Sequence, residues 1–293
     1  MQPSPRVSRV IVVVLDGVRA DAIPLFDLET WQALASAGSA TWRAQTVHPP
    51  VTAAAMTSLL SGVRPADHGL VTDRFRLPRP GVANRSLPAL LRDAGIPTHV
   101  ALASLPVGYA PLARRLARRA GVATVSSVGR TAAEILDAAA PLLLAPVPAL
   151  HVLHWPDADR AGHRHGWTSR PYADAVHRMD RALATLVGLT GALTDPATVL
   201  VALADHGGGG ACFRDHGSTH PHDRTIPLAL VGGGVVHGEL APCTSILDVP
   251  ATVAWAMGAA VPPRYAGRVL VEAFPPGVVA HPRPGRYDAV AVR

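Results

Sequence analysis

Apolar positions in this chain follow two rhythms. Val10–Leu15 is a continuous, largely β-branched run, the pattern of a strand buried on both faces of a parallel sheet. Similar runs at Thr98–Ala103, Leu150–His154, Thr198–Ala204 and Pro227–Val231 predict further buried strands, and Thr41–Val47 another. Between them the spacing turns helical. Leu28–Ala37 ends at Gly38, Thr52–Leu60 starts behind Pro49-Pro50 and ends near Gly62, and Ser86–Ala94 ends at Gly95. Leu112–Ala120, Ala132–Leu144, Tyr172–Leu189 and Ile246–Met257 are also predicted helical. Strands alternating with helices give an α/β class: a mainly parallel central sheet with helices on both faces. No internal repeat or linker divides the chain. The expectation is one domain over 1–293, with a core of about 8–273 and a Pro- and Arg-rich tail at 274–293.

Composition narrows this picture. Of 293 residues, 48% are apolar and 16% charged, enough to bury a sizeable core. All 27 basic residues are Arg, so a lysine Schiff base and a P-loop lysine are both excluded. The formal charge is +6, yet the arginines are scattered apart from Arg114, Arg115, Arg118 and Arg119, which form one solvated side of a helix. Aromatic residues are only 4%, and no nucleic-acid-binding signature is present, so no nucleic-acid partner is expected. Cys212 and Cys243 make neither a disulfide framework nor a CxxC zinc motif. The apolar run Ile11–Leu15 is too short for a signal segment or membrane span and leads at once to Asp16. The expectation is a cytoplasmic protein with no membrane association.

Candidate chemistry collects just past the predicted strands, where α/β sheets gather reactive groups. Asp16-Gly17 follows the first strand. Asp157 and Asp159 follow Leu150–His154, with Asp159 and His163 four apart in an expected turn. Asp205-His206 follows Thr198–Ala204, and His216-Gly217 lies ten residues beyond. Carboxylates mixed with imidazoles suit Zn²⁺, Mn²⁺ or Fe better than Mg²⁺ or Ca²⁺. With this many donors, two ions are easier to place than one. Each pair alone is also compatible with turn or structural roles. Thr52 likewise has two readings: a helix N-cap, or a hydroxyl in the positive potential of a helix start that a metal could activate.

The order of these motifs resembles the alkaline phosphatase superfamily, in particular its nucleotide pyrophosphatase/type I phosphodiesterase branch. The matching stretches are VVVLDGVRAD, HPPVTAAAMTSLLSGVRPADHG, DRAGHRHG, ADHGG and DHGSTHPHDRTIPLALVGGGV, then SILDVPATVAWAMG and YAGRVL near the end. The resemblance implies two metal sites: Asp16, Thr52, Asp205 and His206 at one, and Asp159, His163 and His216 at the other. Two divalent ions are implied, zinc with manganese as the alternative. Asp159 is preferred to Asp157 for its D-x-x-G-H spacing, and His216 to His220 and His222 for its distance to Asp223–Pro227. Arg19 and His68 are expected to be structural, His151 and His154 to be core or supporting residues, and Trp155 and Trp167 to be packing residues.

The implied activity is hydrolysis of a small phosphate ester, as a phosphodiesterase or nucleotide pyrophosphatase, through phosphorylated Thr52, with the Ala53 N–H binding a substrate oxygen. The alternatives are a phosphomonoesterase on the same machinery and a non-catalytic metal-binding scaffold. Most bacterial sulfatases use a modified Cys or Ser, and here the nucleophile position is Thr. One departure stands out. Relatives carry a phosphate-binding Asn at the position of Asp73, and a carboxylate there repels phosphate.

Overall fold

Strands that are apolar on both faces need cover on both faces, and this requirement dictates the architecture. The computed structural model describes residues 7–73, 76–82, 86–106 and 108–275. Its strands are β1 (Arg9–Leu15), β2 (Ser39–Gln45), β3 (Thr98–Leu102), β4 (Thr124–Ser127), β5 (Ala149–Trp155), β6 (Thr198–Leu203), β7 (Thr225–Gly232) and β8 (Gly238–Glu239). Its helices are α1 (Ala22–Leu25), α2 (Glu29–Ala37), α3 (Thr52–Ser61), α4 (Pro65–His68), α5 (Leu87–Asp93), α6 (Tyr109–Arg119), α7 (Ala132–Leu143), α8 (Asp157–His165), α9 (Arg170–Thr190), α10 (Pro221–Arg224) and α11 (Asp248–Ala256).

The strands form one sheet in the order β4-β3-β5-β1-β6-β7-β2-β8. Only β7 runs against the rest; it is antiparallel to both β6 and β2. Helices α2, α7, α8 and α9 pack together as one layer, and α3, α4, α5 and α11 as another. The central strands are sealed: all of β6, and β1 from Val10 onward, are buried. Burying such Val, Leu and Ile side chains contributes about 1.5–3 kcal/mol each.

This topology places the site. β1 lies between β5 and β6 and parallel to both, with Leu15 beside Trp155 and Val14 beside Leu203. The carboxyl ends of the three strands therefore open side by side. Asp16, the end of β5 and Asp205 meet there.

Three expectations need correction. The D-x-x-G-H segment is the helix α8 rather than a turn. β2 begins at Ser39, two residues earlier than predicted, because Gly38 sits against β7 and carries the chain from helix to strand without a loop. A Cβ on Gly38 would lie 2.0 Å from the Leu230 carbonyl oxygen, so only glycine allows this approach. The C-terminal helix starts at Asp248 rather than Ile246. Asp248 accepts from the Ser245 and Arg268 N–H groups, so its carboxylate ties that helix to the YAGRVL turn.

The arginine-bearing α6 buries no residue, as a solvated face requires. No helix among the described residues is long and apolar enough to cross a membrane. Of the tail expected from 274, residues 276–293 lie outside the described residues.

Candidate metal centre

Asp16 leaves β1 into a turn that cannot relax. Gly17 has φ +73°, and a Cβ on it would lie 2.7 Å from the Asp159 Cα. The Asp159 N–H donates to the Asp16 carbonyl at 3.0 Å, joining the start of α8 to the end of β1. Trp167 Nε1 and the Tyr172 hydroxyl both donate to the Gly17 carbonyl, at 2.9 and 3.1 Å. Trp167 is fully buried and packs beneath Gly162 and Gly208, so it underpins the centre rather than lining a substrate pocket. On the other strand, Asp205 Oδ1 accepts from the His206 and Gly17 N–H groups, at 3.0 and 3.3 Å. Its second oxygen is left facing inward.

Three histidines share one orientation. His206 Nδ1 lies 2.8 Å from the Gly207 carbonyl, His216 Nδ1 2.9 Å from that of Pro50, and His163 Nδ1 2.9 Å from that of Arg214. A carbonyl only accepts, so each Nδ1 carries the proton in these contacts. The neutral ring then presents only a lone pair at Nε2. All three Nε2 atoms face carboxylates. His206 Nε2 is 3.4 Å from Asp16 and 3.7 Å from Asp205. His163 and His216 Nε2 are 3.4 and 3.6 Å from Asp159 Oδ1.

A lone pair facing a carboxylate is satisfied by a cation between them. Donors bound to one tetrahedral zinc at about 2.0–2.1 Å stand about 3.3 Å apart, close to the 3.4–3.7 Å spacings here. Asp16 Oδ1, Asp159 Oδ1 and Asp205 Oδ2 are buried with no hydrogen-bond partner among the described residues. Native proteins rarely leave such oxygens unpaired, and carbonyl-anchored imidazoles are how metal-ligating histidines are held. The residues present therefore fit metal ions. Donor atoms within 4.8 Å of one another form three sets: Asp16, His154 and Asp205; Asp159, His206 and His216; and His163, Asp215 and His216.

The electrostatics agree. Burial, then the charges of Asp205 and Asp159, push the Asp16 carboxyl well above the usual range. Burial would raise Asp205 too, but the imidazoles of His206 and His154 outweigh it and hold that carboxyl low. Burial opposes the charged form of His206, yet Asp205 and Asp159 raise its pKa. Burial and the neighbouring His206 lower that of His216, which stacks on it at 3.9 Å between centroids.

Thr52 is the first residue of α3; the N-cap is Val51. Of the two readings of Thr52, the N-cap one does not hold. Its Oγ1 lies 3.0 Å from His206 Nε2 instead. The neighbouring Ala53 N–H donates to Asp73 Oδ1 at 3.1 Å. The group expected to bind a substrate oxygen thus already holds a carboxylate.

Other predicted residues separate cleanly. Asp157 turns away and accepts the Ala132 N–H at the start of α7, at 2.8 Å. His220 and His222 stack edge-on against each other, with His222 Nε2 3.8 Å from Asp21. Arg19 is buried and ion-pairs with Asp21. His68 is wholly buried, accepts the Leu70 N–H at Nδ1 and faces Ser58 Oγ at 3.0 Å; burial takes its pKa down to about 4. Cys212 and Cys243 are free and exposed.

Sequence reasoning missed Asp223, which is buried and accepts from the Gly210 and Ser218 N–H groups and from Ser218 Oγ, folding the loop that carries His216. His154, read as a core or supporting residue, has its Nε2 3.5 Å from Asp16 Oδ2. The available signal was a polar side chain near the carboxyl end of a buried strand.

Comparison with known proteins follows the geometry. The sequence matches the type I phosphodiesterase/nucleotide pyrophosphatase family over residues 10–86 and 109–227. The search of curated proteins found no match to the chain. Among solved structures, a 2-O GAG sulfatase superposes with a TM-score of 0.70 at 13% identity, covering 92% of this chain and 74% of that one. The phosphonate monoester hydrolase of Silicibacter pomeroyi gives 0.67 at 15% identity, covering 94% and 78%. The lipoteichoic acid synthase LtaP of Listeria monocytogenes gives 0.63 at 15% identity, covering 89% and 74%. At such identities these structures establish a common fold. The family match spans about two thirds of the sequence and includes every motif discussed from Asp16 to Asp223, so the chain belongs to the type I phosphodiesterase/nucleotide pyrophosphatase family of ester hydrolases.

Proposed function

We propose that this protein is a two-metal phosphodiesterase or nucleotide pyrophosphatase whose nucleophile is Thr52. Asp16, Thr52, Asp205 and His206 would hold one ion, and Asp159, His163 and His216 the other. The carrying observation is the set of carbonyl-anchored imidazoles whose Nε2 atoms face unpartnered carboxylates. That donor set suits zinc, with manganese as the alternative. When bound, such ions lower the pKa of a coordinated hydroxyl and neutralise charge on the oxygens of a transferring phosphoryl group.

The residues supply position. Thr52 sits at the start of α3, so its Oγ1 projects toward the donors rather than back onto its own helix. It attacks phosphorus in line: the Oγ–P bond forms while the bond to the leaving oxygen breaks, and the hydroxyl proton passes to solvent. Water then attacks the same phosphorus, the P–Oγ bond breaks, and Thr52 is regenerated. Two in-line displacements give net retention at phosphorus.

Asp73 favours a diester. A phosphomonoester carries close to two negative charges at neutral pH, whereas a diester carries one. The Asp73 carboxylate on the Ala53 N–H penalises the dianion more. Asp73→Asn should raise kcat/KM for a nitrophenyl monoester about tenfold, equivalent to about 1.4 kcal/mol of repulsion removed, and change the diester value less. Steady-state kinetics on both substrates check this; equal effects on the two would remove Asp73 from the specificity argument. The broader test is a side-by-side assay of mono- and diesters with Zn²⁺ and Mn²⁺. Preference for the diester supports the reading, and hydrolysis of neither contradicts it.

A further inference from the structure

His154 lies within the matched residues 109–227 but outside the motif stretches quoted above, and it points into the metal centre. Its Nε2 lies 3.5 Å from Asp16 Oδ2 and 3.7 Å from Asp205 Oδ2. Those spacings are within 0.1 Å of the ones His206 makes to the same two carboxylates, 3.4 Å to Asp16 Oδ1 and 3.7 Å to Asp205 Oδ2. Among the described residues His154 Nε2 is buried with no hydrogen-bond partner, as is Asp205 Oδ2, on a residue that is 0% exposed. The placement follows from sheet register. β1 and β5 are parallel with Val14 beside His154, so the imidazole stands one residue short of Asp16 and reaches forward over the strand end. Asp205 approaches from β6 on the other side of β1.

We propose that His154 is a direct ligand of the ion held at Asp16 and Asp205, adding a second imidazole to that shell. The proposal rests on the two-metal reading above. A neutral imidazole adds a bond without adding negative charge. Asp16 and Asp205 alone would then balance the charge of a divalent ion, and no further anion is needed in that shell. The second nitrogen donor also turns the site further from Mg²⁺ and Ca²⁺, which prefer oxygen shells, toward Zn²⁺ and Mn²⁺.

The test is calorimetric titration of Zn²⁺ into the metal-free protein, beside the melting-point gain on loading, for the wild type, His154→Leu and His154→Gln. Leu keeps most of the packing volume. Direct ligation predicts that one of two sites weakens by tenfold or more in both variants, and that the melting-point gain shrinks. A purely structural histidine lowers the melting points of the loaded and metal-free forms together and leaves affinity unchanged, which would overturn the proposal while sparing the two-metal reading. Wild-type protein that binds no metal would sink both. If neither variant folds, nuclear magnetic resonance of cadmium-loaded wild type with isotopically labelled histidine decides. A cadmium-coupled His154 Nε2 supports ligation, and an uncoupled one refutes it.

Discussion

Thr52→Ala is expected to lower turnover of a nitrophenyl phosphodiester by about 10⁴-fold or more, the scale on which removing a covalent nucleophile acts. The same variant should keep its fold and its metal. Thr52 is not the cap of α3, and among the described residues its hydroxyl has one polar partner, His206 at 3.0 Å. Alanine at a first helical position therefore costs well under about 1 kcal/mol. The carboxylates and the anchored imidazoles remain. Metal analysis and a melting curve beside the kinetics separate a lost nucleophile from a lost site. Near-wild-type turnover with both ions bound would remove Thr52 from the mechanism.

Metal removal is expected to have the second large effect. Without cations, Asp16, Asp159 and Asp205 face one another in a mostly buried pocket, with oxygens that lack partners. Chelation should abolish hydrolysis, and Zn²⁺ or Mn²⁺ should restore it. Loading at a thousandfold excess over Kd stabilises the native state by about 4 kcal/mol per ion, read as a rise in melting temperature. The pH dependence has a definite sign. Metal binding needs Asp16 ionised, while burial and its carboxylate neighbours hold its pKa well above the usual value. As pH falls through that raised value, protons displace metal. The metal-free fold meanwhile regains the stability that Asp16 withholds when ionised. The melting-point gain should therefore shrink on acidification. A gain independent of both chelator and pH would contradict the metal centre.

Much of this site is readable without coordinates, for a physical reason. Asp16 and Asp205 follow buried parallel strands, and such strands announce themselves as continuous apolar runs. The short edge strand Thr124–Ser127 was missed because it has no such run; each of its residues is partly or fully exposed. The α8 helix was read as a turn because it is short, polar and interrupted by Gly162. That glycine is needed for Trp167 to pack beneath it, since a Cβ there would lie 2.5 Å from the indole. The place of His154 near a strand end was legible, but not the atoms it faces. Its approach to Asp16 depends on the pairing register of β5 with β1, a long-range fact that local sequence does not encode. The Asp73–Ala53 contact is of the same kind, joining the first turn of α3 to a loop twenty residues on. Local pattern named the donors, and tertiary register decided which atoms they face.

The central claim is that Thr52 carries the phosphoryl group between the two displacements. Acid-quenching the metal-loaded enzyme during turnover of a nitrophenyl phosphodiester, followed by peptide mass spectrometry, tests it directly. The account predicts an adduct on Thr52, the phosphoryl group still carrying its second ester substituent, that is absent from Thr52→Ala and disappears when substrate is exhausted. Full turnover with Thr52 never modified, together with inversion at a chiral phosphorus, would contradict it.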